Sequence, residues 1–383
     1  MPNLLTLERD IDPQVWRACA GTFAWIPATG STVYYFPEGH AEQSSSMPDF
    51  SSIPHRSWFT LCRVAKVSLL ASPDTDEVFA KLFLDPLRPG SPQLPPVSPP
   101  FVNDPYMFSY TKILTPEDVQ SGGGFTVPML CAVNIFPAIG LGTNKIISVH
   151  DVHGTTWEFL HTCRGTPSDH RHYLSRGWSN FVNTKKLVAG DSVVFICDQD
   201  KKIFVGIRRA EAGARVRPKA VVHAVRRAMM KQWFEVEYYP ATRSQVFVVA
   251  AEIVEAAARV SWNIGMRMKM PMEIVEMDGR AWLTEFSGTV IGEAPSDPQW
   301  PDSQWRMLQV TWDKPKAFQL VNCVNPWQLS TFELFDYILI NTYFPLTSLN
   351  TRMMGEITSS LFKYNTFLVE ADKGHKIMDG MDT

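Results

Sequence analysis

The sequence predicts a mainly β chain with a minority of helix, an α+β protein. Three observations carry this. The stretch WEFLHTC alternates, with Trp157, Phe159, His161 and Cys163 on one face, a period of two that marks a strand. Two apolar runs, Val193–Phe195 and Phe204–Ile207, flank the polar turn Asp198–Lys202 and read as buried strands. Helical periodicity is confined to short stretches such as Pro218–Lys231, where Val221, Ala224, Val225 and Met229 share a face.

In chain order, Pro13–Ala20 reads as a short helix and Thr32–Phe36 as a strand. Polar Ala41–Ser52 reads as a loop. Trp58–Leu70 and Val78–Leu84 are strands joined by the turn Ser72–Asp76. Pro86–Pro105 is rich in proline and serine and reads as an extended connector. Phe108–Leu114 is strand-like. Thr115 is placed to cap a helix, with Asp118 three residues on. Gly122–Gly124 is a flexible loop, and Pro128–Phe136 a short helix. After Cys163, Gly165 and Pro167 interrupt the alternation, so a basic loop is expected, carrying Arg164, Arg171 and Arg176 with His170 and His172 between them. Trp178 then opens an apolar run. Phe234–Tyr239 alternates as a strand and Ala250–Val260 is helical. Residues 266–270, 281–292 and 305–312 are strand candidates, and this region ends at Asn325-Pro326-Trp327. Residues 331–383 hold an apolar, aromatic patch (FELFDYILINTYFPL) followed by a polar tail.

Composition narrows the class. The 383 residues suggest two or three domains, and 45% hydrophobic with 20% charged residues is ordinary for a globular protein. The net charge is −3, yet residues 108–209 hold eleven Lys/Arg against eight Asp/Glu, so a basic module sits in an acidic frame. That distribution suits a specific nucleic-acid binder better than a non-specific coat. Six scattered cysteines read as reduced thiols of a nuclear or cytosolic protein. No signal peptide opens the chain and no apolar run reaches membrane-spanning length, so no membrane association is expected. No nucleophile elbow, zinc-protease motif, phosphate loop or dinucleotide fingerprint occurs, which disfavours an enzyme and gives no cofactor. His150, His153, His161 and Cys163 are of types that suit zinc, but alternation turns His161 and Cys163 into the core beside Trp157, and no metal is expected.

Several long segments carry a family resemblance. GWSNFVNTKKLVAGDSVVF, DVHGTTWEF and FVGIRR resemble the plant B3-type DNA-binding domain as found in auxin response factors. DPQVWRACAG, STVYYFPEGHAEQ, PDTDEVFAKLFLDPL, GGGFTVP and WPDSQWRMLQVTWD resemble that family in the same order, over about residues 10 to 328. The resemblance implies a B3-type open seven-stranded pseudo-barrel inserted in a split dimerisation domain, then a small Tudor-like ancillary barrel. The implied boundaries are 10–105 and 211–265 for the two parts of the dimerisation domain, 106–210 for the B3-type domain, 266–328 for the ancillary domain and 329–383 for a divergent tail.

The resemblance also implies a site. One family arm reads His-Gly-Gly-Phe-Ser; here Gly122 replaces the histidine, while Gly123 and Thr126 fit. Glycine lets backbone N–H groups approach a phosphate, and Thr126 offers a hydroxyl. The second arm matches at Arg164, Gly165, Pro167, Gly177, Trp178 and Ser179, with Ser168 and Asp169 as additional residues. Arg164 and Arg171 take the role of base readers, since the guanidinium fork fits guanine O6 and N7 together. Arg176 falls where the family has threonine, and Ser179 is an expected phosphate contact. The implied DNA-contact set is therefore Gly122, Gly123, Thr126, Arg164, Pro167, Arg171, Arg176 and Ser179. The implied function is a nuclear transcription factor of the auxin response. It binds TGTC-containing elements (TGTCNN) in double-stranded DNA as a homodimer, or as a heterodimer with other auxin response factors. No glutamine-rich activation region and no C-terminal oligomerisation domain is read, so repression is expected and binding of Aux/IAA repressors is not. A second reading is an adaptor that dimerises with full-length relatives without binding DNA.

Overall fold

The computed structural model describes residues 10–21, 24–53, 57–88, 108–120, 122, 124–210, 216–240, 246–275, 281–295, 297–300, 302–313 and 322–329. Most of the expected Pro86–Pro105 connector and the aromatic patch after residue 331 lie outside these residues. So does the rest of residues 332–383.

The described residues begin with helix α1 (Pro13–Ala20), strand β1 (Thr32–Tyr35), helix α2 (Pro37–Glu42) and the long strands β2 (Thr60–Ala71) and β3 (Val78–Pro86). Asp12 caps α1 by accepting from the N–H groups of Gln14 and Val15, and Pro13 supplies a preset φ at the first position. Helix α2 lies partly where the sequence suggests a loop. Pro37 and Glu38 in its first turn favour the helix start.

The middle of the chain supplies β4 (Phe108–Ile113), α3 (Pro116–Val119), β5 (Phe125–Val127), α4 (Met129–Asn134), β6 (Asn144–Asp151), β7 (Thr156–Thr166), β8 (Asp169–Leu174), α5 (Trp178–Lys185), β9 (Ser192–Cys197) and β10 (Ile203–Arg208). There follow α6 (Pro218–Met229), β11 (Phe234–Tyr238), β12 (Val248–Ala250) and α7 (Ala251–Ala258). Strands β13 (Arg267–Val275), β14 (Ala281–Glu293), β15 (Leu308–Trp312) and β16 (Cys323–Val324) come next, and a 3-10 turn at Pro326–Gln328 ends the described chain.

Three sheets result among the described residues. The first has the order β11-β3-β2-β1-β12, so it takes strands from both sides of the 108–208 segment. Phe234 faces Leu84 across one ladder and Val33 faces Ala250 across another. The second is seven-stranded, ordered β4-β9-β10-β6-β7-β8-β5, with β10 and β6 parallel. The third is a four-stranded antiparallel sheet, β13-β14-β15-β16, with a register shift between Val290 and Gly292.

Helix α1 is wedged between the first two sheets. Its Trp16 is fully buried and donates its indole N–H to the Phe79 carbonyl at 3.0 Å. Its last carbonyls receive Arg208 from β10: Nε donates to Cys19 at 2.7 Å and Nη2 to Ala18 at 2.9 Å. A cation on orphan C-terminal carbonyls satisfies both the hydrogen bonds and the helix dipole. The turn between β2 and β3 docks on the seven-stranded sheet by charge. Asp76 accepts from Lys185 at 2.6 Å, Lys185 also lies 2.8 Å from Asp151, and Arg209 donates to Asp191 at 2.9 Å and to the Thr75 carbonyl at 3.0 Å. Burial raises both carboxyls, yet hydrogen bonds from Lys185, joined by His153 at Asp76 and by Trp157 and the Thr155 N–H at Asp151, bring them below their usual range.

Trp305, just before β15, packs on Phe36 with ring centroids 5.5 Å apart and donates to Glu42 at 2.9 Å. Ser303 donates to Glu38 at 2.6 Å, yet burial pushes the Glu38 carboxyl up to about 7. The amphipathic face of α6 is used within the chain: Val221, Ala224, Val225 and Ala228 are all buried.

Candidate nucleic-acid interface

The expected basic loop after Cys163 is instead a β-hairpin. Strand β7 runs on through Arg164 and Gly165 to Thr166, Pro167 and Ser168 form the turn, and β8 returns from Asp169. Arg164 pairs with Arg171, Gly165 with His170 and Thr166 with Asp169. Two local devices make the turn. The Thr166 hydroxyl accepts from the Asp169 N–H at 3.2 Å. Gly165 holds φ +124, where any Cβ would collide with the Asp169 carbonyl. Glycine and proline here permit the tight approach of the two strands, which is why their reading as strand breakers fails.

Alternation gives the hairpin two distinct faces. One carries Arg164, Thr166, Asp169, Arg171 and Tyr173, and the other carries His161, Cys163, His170 and His172. On the first face Arg164, Gly165, Asp169, Arg171 and Tyr173 line a concavity of about 330 Å³. Like charges directly opposite on a ladder repel, so Arg164 and Arg171 together favour an anion or acceptor between them. Asp169 intrudes on this face, with Arg171 Nε 3.8 Å from its carboxylate and both side chains largely exposed.

Strand β5 extends the same surface. Thr126 pairs with Tyr173 of β8 and is exposed between buried Phe125 and Val127. Its backbone is anchored: its N–H donates to Asp118 at 3.1 Å and its carbonyl accepts from Lys112 at 2.7 Å. The capping box read at Thr115 and Asp118 is formed, and Asp118 gathers the Thr115, Lys112 and Thr126 donors at one carboxylate. Gly122 is exposed at φ +82 with open space around its Cα. Gly123 lies outside the described residues.

Of the expected contact residues, Thr126, Arg164 and Arg171 are brought together, and Pro167 stands at the hairpin tip. Arg176 and Ser179 are not part of that cluster. They follow the far end of β8, where the Arg176 carbonyl accepts from Leu160 N–H at 3.0 Å and Ser179 is the second residue of α5. Helix α5 was not read from the sequence. Its cap, Gly177, has φ +93 and no side chain to announce a helix start. Tyr173 was also missed, although the alternation of Asp169, Arg171 and Tyr173 along one strand is the signal that places it.

Fold and hairpin together define a B3-type DNA-binding domain protein: residues 110–211 match the B3 DNA binding domain, and residues 247–333 match the auxin response factor ancillary domain. The chain is 38% identical over 399 residues to Auxin response factor 10 of Arabidopsis thaliana, covering 88% of this chain and 57% of that protein. It is 39% identical over 371 residues to Auxin response factor 10 of Oryza sativa subsp. indica, covering 83% and 52%. The chain belongs to the auxin response factor family, and it spans about half the length of these curated relatives. Among solved structures, the Arabidopsis FUS3-DNA complex is similar over 27% of this chain and 97% of that chain, at 23% sequence identity and a TM-score of 0.25.

Proposed function

We propose that this chain is a nuclear transcription factor of the auxin response. Its β7–β8 hairpin and the Gly122–Thr126 arm contact double-stranded DNA, with TGTC-containing elements as the preferred sequence. The observation that carries the reading is the Arg164–Arg171 cross-strand pair, exposed beside Thr126 on one lined face. Two guanidinium groups side by side on a rigid ribbon suit guanine edges, while the Thr126 hydroxyl and glycine backbone suit phosphate. Dimerisation, with itself or with other auxin response factors, and repression by site occupancy belong to this reading through family likeness. So does the division of the chain into split dimerisation domain, inserted B3-type domain and ancillary domain. In this reading the chain has no catalytic role.

A salt-series titration of the full chain against a duplex with inverted TGTC repeats and a mismatched duplex tests the proposal. Tighter binding to the TGTC duplex with a steep salt dependence supports it. Asp169 favours the second reading, an adaptor that pairs with full-length relatives, because it places a negative charge on the face that would meet phosphate. Salt-independent absence of binding to both duplexes would establish that alternative.

A further inference from the structure

We propose that the inner face of the β7–β8 hairpin is a zinc site, with Cys163, His170 and His172 as ligands and His161 as the partner that orients His172. The strand register makes this juxtaposition. Cys163 faces His172 directly across the ladder, His170 lies two residues before His172 on the same face, and His161 lies two residues before Cys163. The cysteine sulfur and the two imidazole nitrogens all lie within 4.8 Å of one another. Zinc bound to sulfur at 2.3 Å and to nitrogen at about 2.0–2.1 Å in a tetrahedron needs ligand atoms roughly 3.5 Å apart, so closure takes about 1 Å of side-chain movement.

The surroundings suit the ion. Cys163 is 2% and His172 8% exposed, whereas His170 is half-buried, so the metal reaches the site from one side. His161 is fully buried, its Nε2 lies 3.0 Å from His172 Nδ1, and its own Nδ1 is buried with no hydrogen-bond partner. A metal held at His172 Nε2 leaves Nδ1–H to donate to His161 Nε2, the arrangement by which a ligating histidine is fixed in tautomer and orientation. One sulfur and two nitrogens select zinc over calcium or magnesium, and leave a fourth position for water. The expectation of no metal weighed His150, His153, His161 and Cys163 along the sequence and took Cys163 and His161 for core. The ladder brings His170 and His172 to Cys163 in place of His150 and His153.

The site lies behind the reading face, on the same two strands as Arg164 and Arg171. A bound cation would fasten those strands together and add positive charge beneath them. The assignment of the metal site does not rest on DNA binding.

The test is a titration of the full chain, stripped of metal by a chelator, with Co²⁺ as the spectroscopic probe and Zn²⁺ as competitor. One equivalent of cobalt with a thiolate-to-metal charge-transfer band, displaced by zinc, is the expected result. Cys163→Ser should abolish the band. His170→Asn, at a half-buried position that leaves the core intact, should weaken cobalt binding by more than the roughly 10–100-fold that loss of an outer hydrogen-bond partner costs. His150→Asn should leave both unchanged. Far-ultraviolet circular dichroism establishes that each variant is folded. Absence of a thiolate band in the wild type, or wild-type cobalt affinity in Cys163→Ser or in His170→Asn, overturns the proposal.

Discussion

Lys112 donates to Asp118 at 2.8 Å, and the same ammonium donates to the Thr126 carbonyl at 2.7 Å. Strands β4 and β5 are the two ends of the seven-stranded order, so this one side chain joins its edges. Lys112 lies over the Phe125 ring at 4.3 Å, and desolvation lowers its pKa despite Asp118.

Removing one partner of a buried ion pair leaves the other uncompensated, at a cost of about 3–5 kcal/mol. Lys112→Met should therefore lower the urea midpoint sharply. A double variant with Asp118→Asn should recover part of the loss. Denaturation of Lys112→Met within about 1 kcal/mol of wild type would remove the pair from the account of the fold.

Two buried histidines should destabilise the fold as pH falls from about 6.5 toward 4, against the opposite effect of Glu38, whose carboxyl, raised by burial to about 7, takes up its proton first in the folded state. His40 is fully buried, bonded through Nδ1 to the Tyr35 hydroxyl at 2.8 Å, and burial pushes its pKa down to about 3. His161 is pushed down to about 4 by burial and by His172. In both, the folded pKa lies below the unfolded value, so the neutral form is the folded one. Their contribution is complete above about pH 6.5 and is lost as pH falls through that value toward 4. For His40 the loss by pH 4 is on the order of 3 kcal/mol. Urea unfolding at stepped pH should show a steeper loss below about pH 6.5 in the wild type than in His40→Gln, the Glu38 contribution being common to both. An identical slope in the variant would assign the effect elsewhere.

Gly177→Ala should destabilise the seven-stranded unit by about 1–3 kcal/mol, the usual cost of forcing a side chain into a backbone region that excludes it. At φ +93 an added Cβ meets the Glu158 carbonyl. The readout is the thermal midpoint, with Gly122→Ala, where nothing lies within 4 Å, as the milder comparison.

Asp169→Asn should tighten duplex binding about two- to five-fold, the range expected for an exposed charge pair, and steepen the salt dependence. The change frees Arg171, now 3.8 Å from that carboxylate. Deleting Ser168 and Asp169 together is a different experiment. The shortened turn would bring Arg171 opposite Thr166 instead of Arg164, and would part Cys163 from His172. Both the arginine pair and the thiolate band of the cobalt complex should then be lost.

Strand β11 was legible from its clean alternation, because one face is buried and the pattern must say so, and β2 and β3 from the polar turn Ser72–Asp76 that joins two apolar runs. Helix α1 announced itself through Asp12 and Pro13. Helix α5 did not, because a glycine in the left-handed region starts it. At the site, the residue types were legible, since Arg164, Arg171 and Thr126 were named from motif positions. Their mutual placement was not. It depends on cross-strand register, which is set by a two-residue turn that Gly165 and Pro167 disguised as a loop. The same register gathers Cys163 with His170 and His172, a grouping that no spacing along the chain reveals.

The five-stranded sheet also sets a timetable. A ribosome releases β1, β2 and β3 long before β11 and β12 exist, so the sheet waits with Leu84 lacking its partner Phe234. The seven-stranded unit lies wholly within 108–208 and is complete earlier. Its completion draws its own ends together, because β4 and β10 both flank β9. A span of about 150 residues between Leu84 and Phe234 is thereby shortened to the connecting segments, and the entropy of closing it falls accordingly. The outer sheet is therefore finished last, around a core already set. A nascent chain halted before residue 234 holds a formed hairpin beside an unfinished sheet whose apolar edge is open to chaperones.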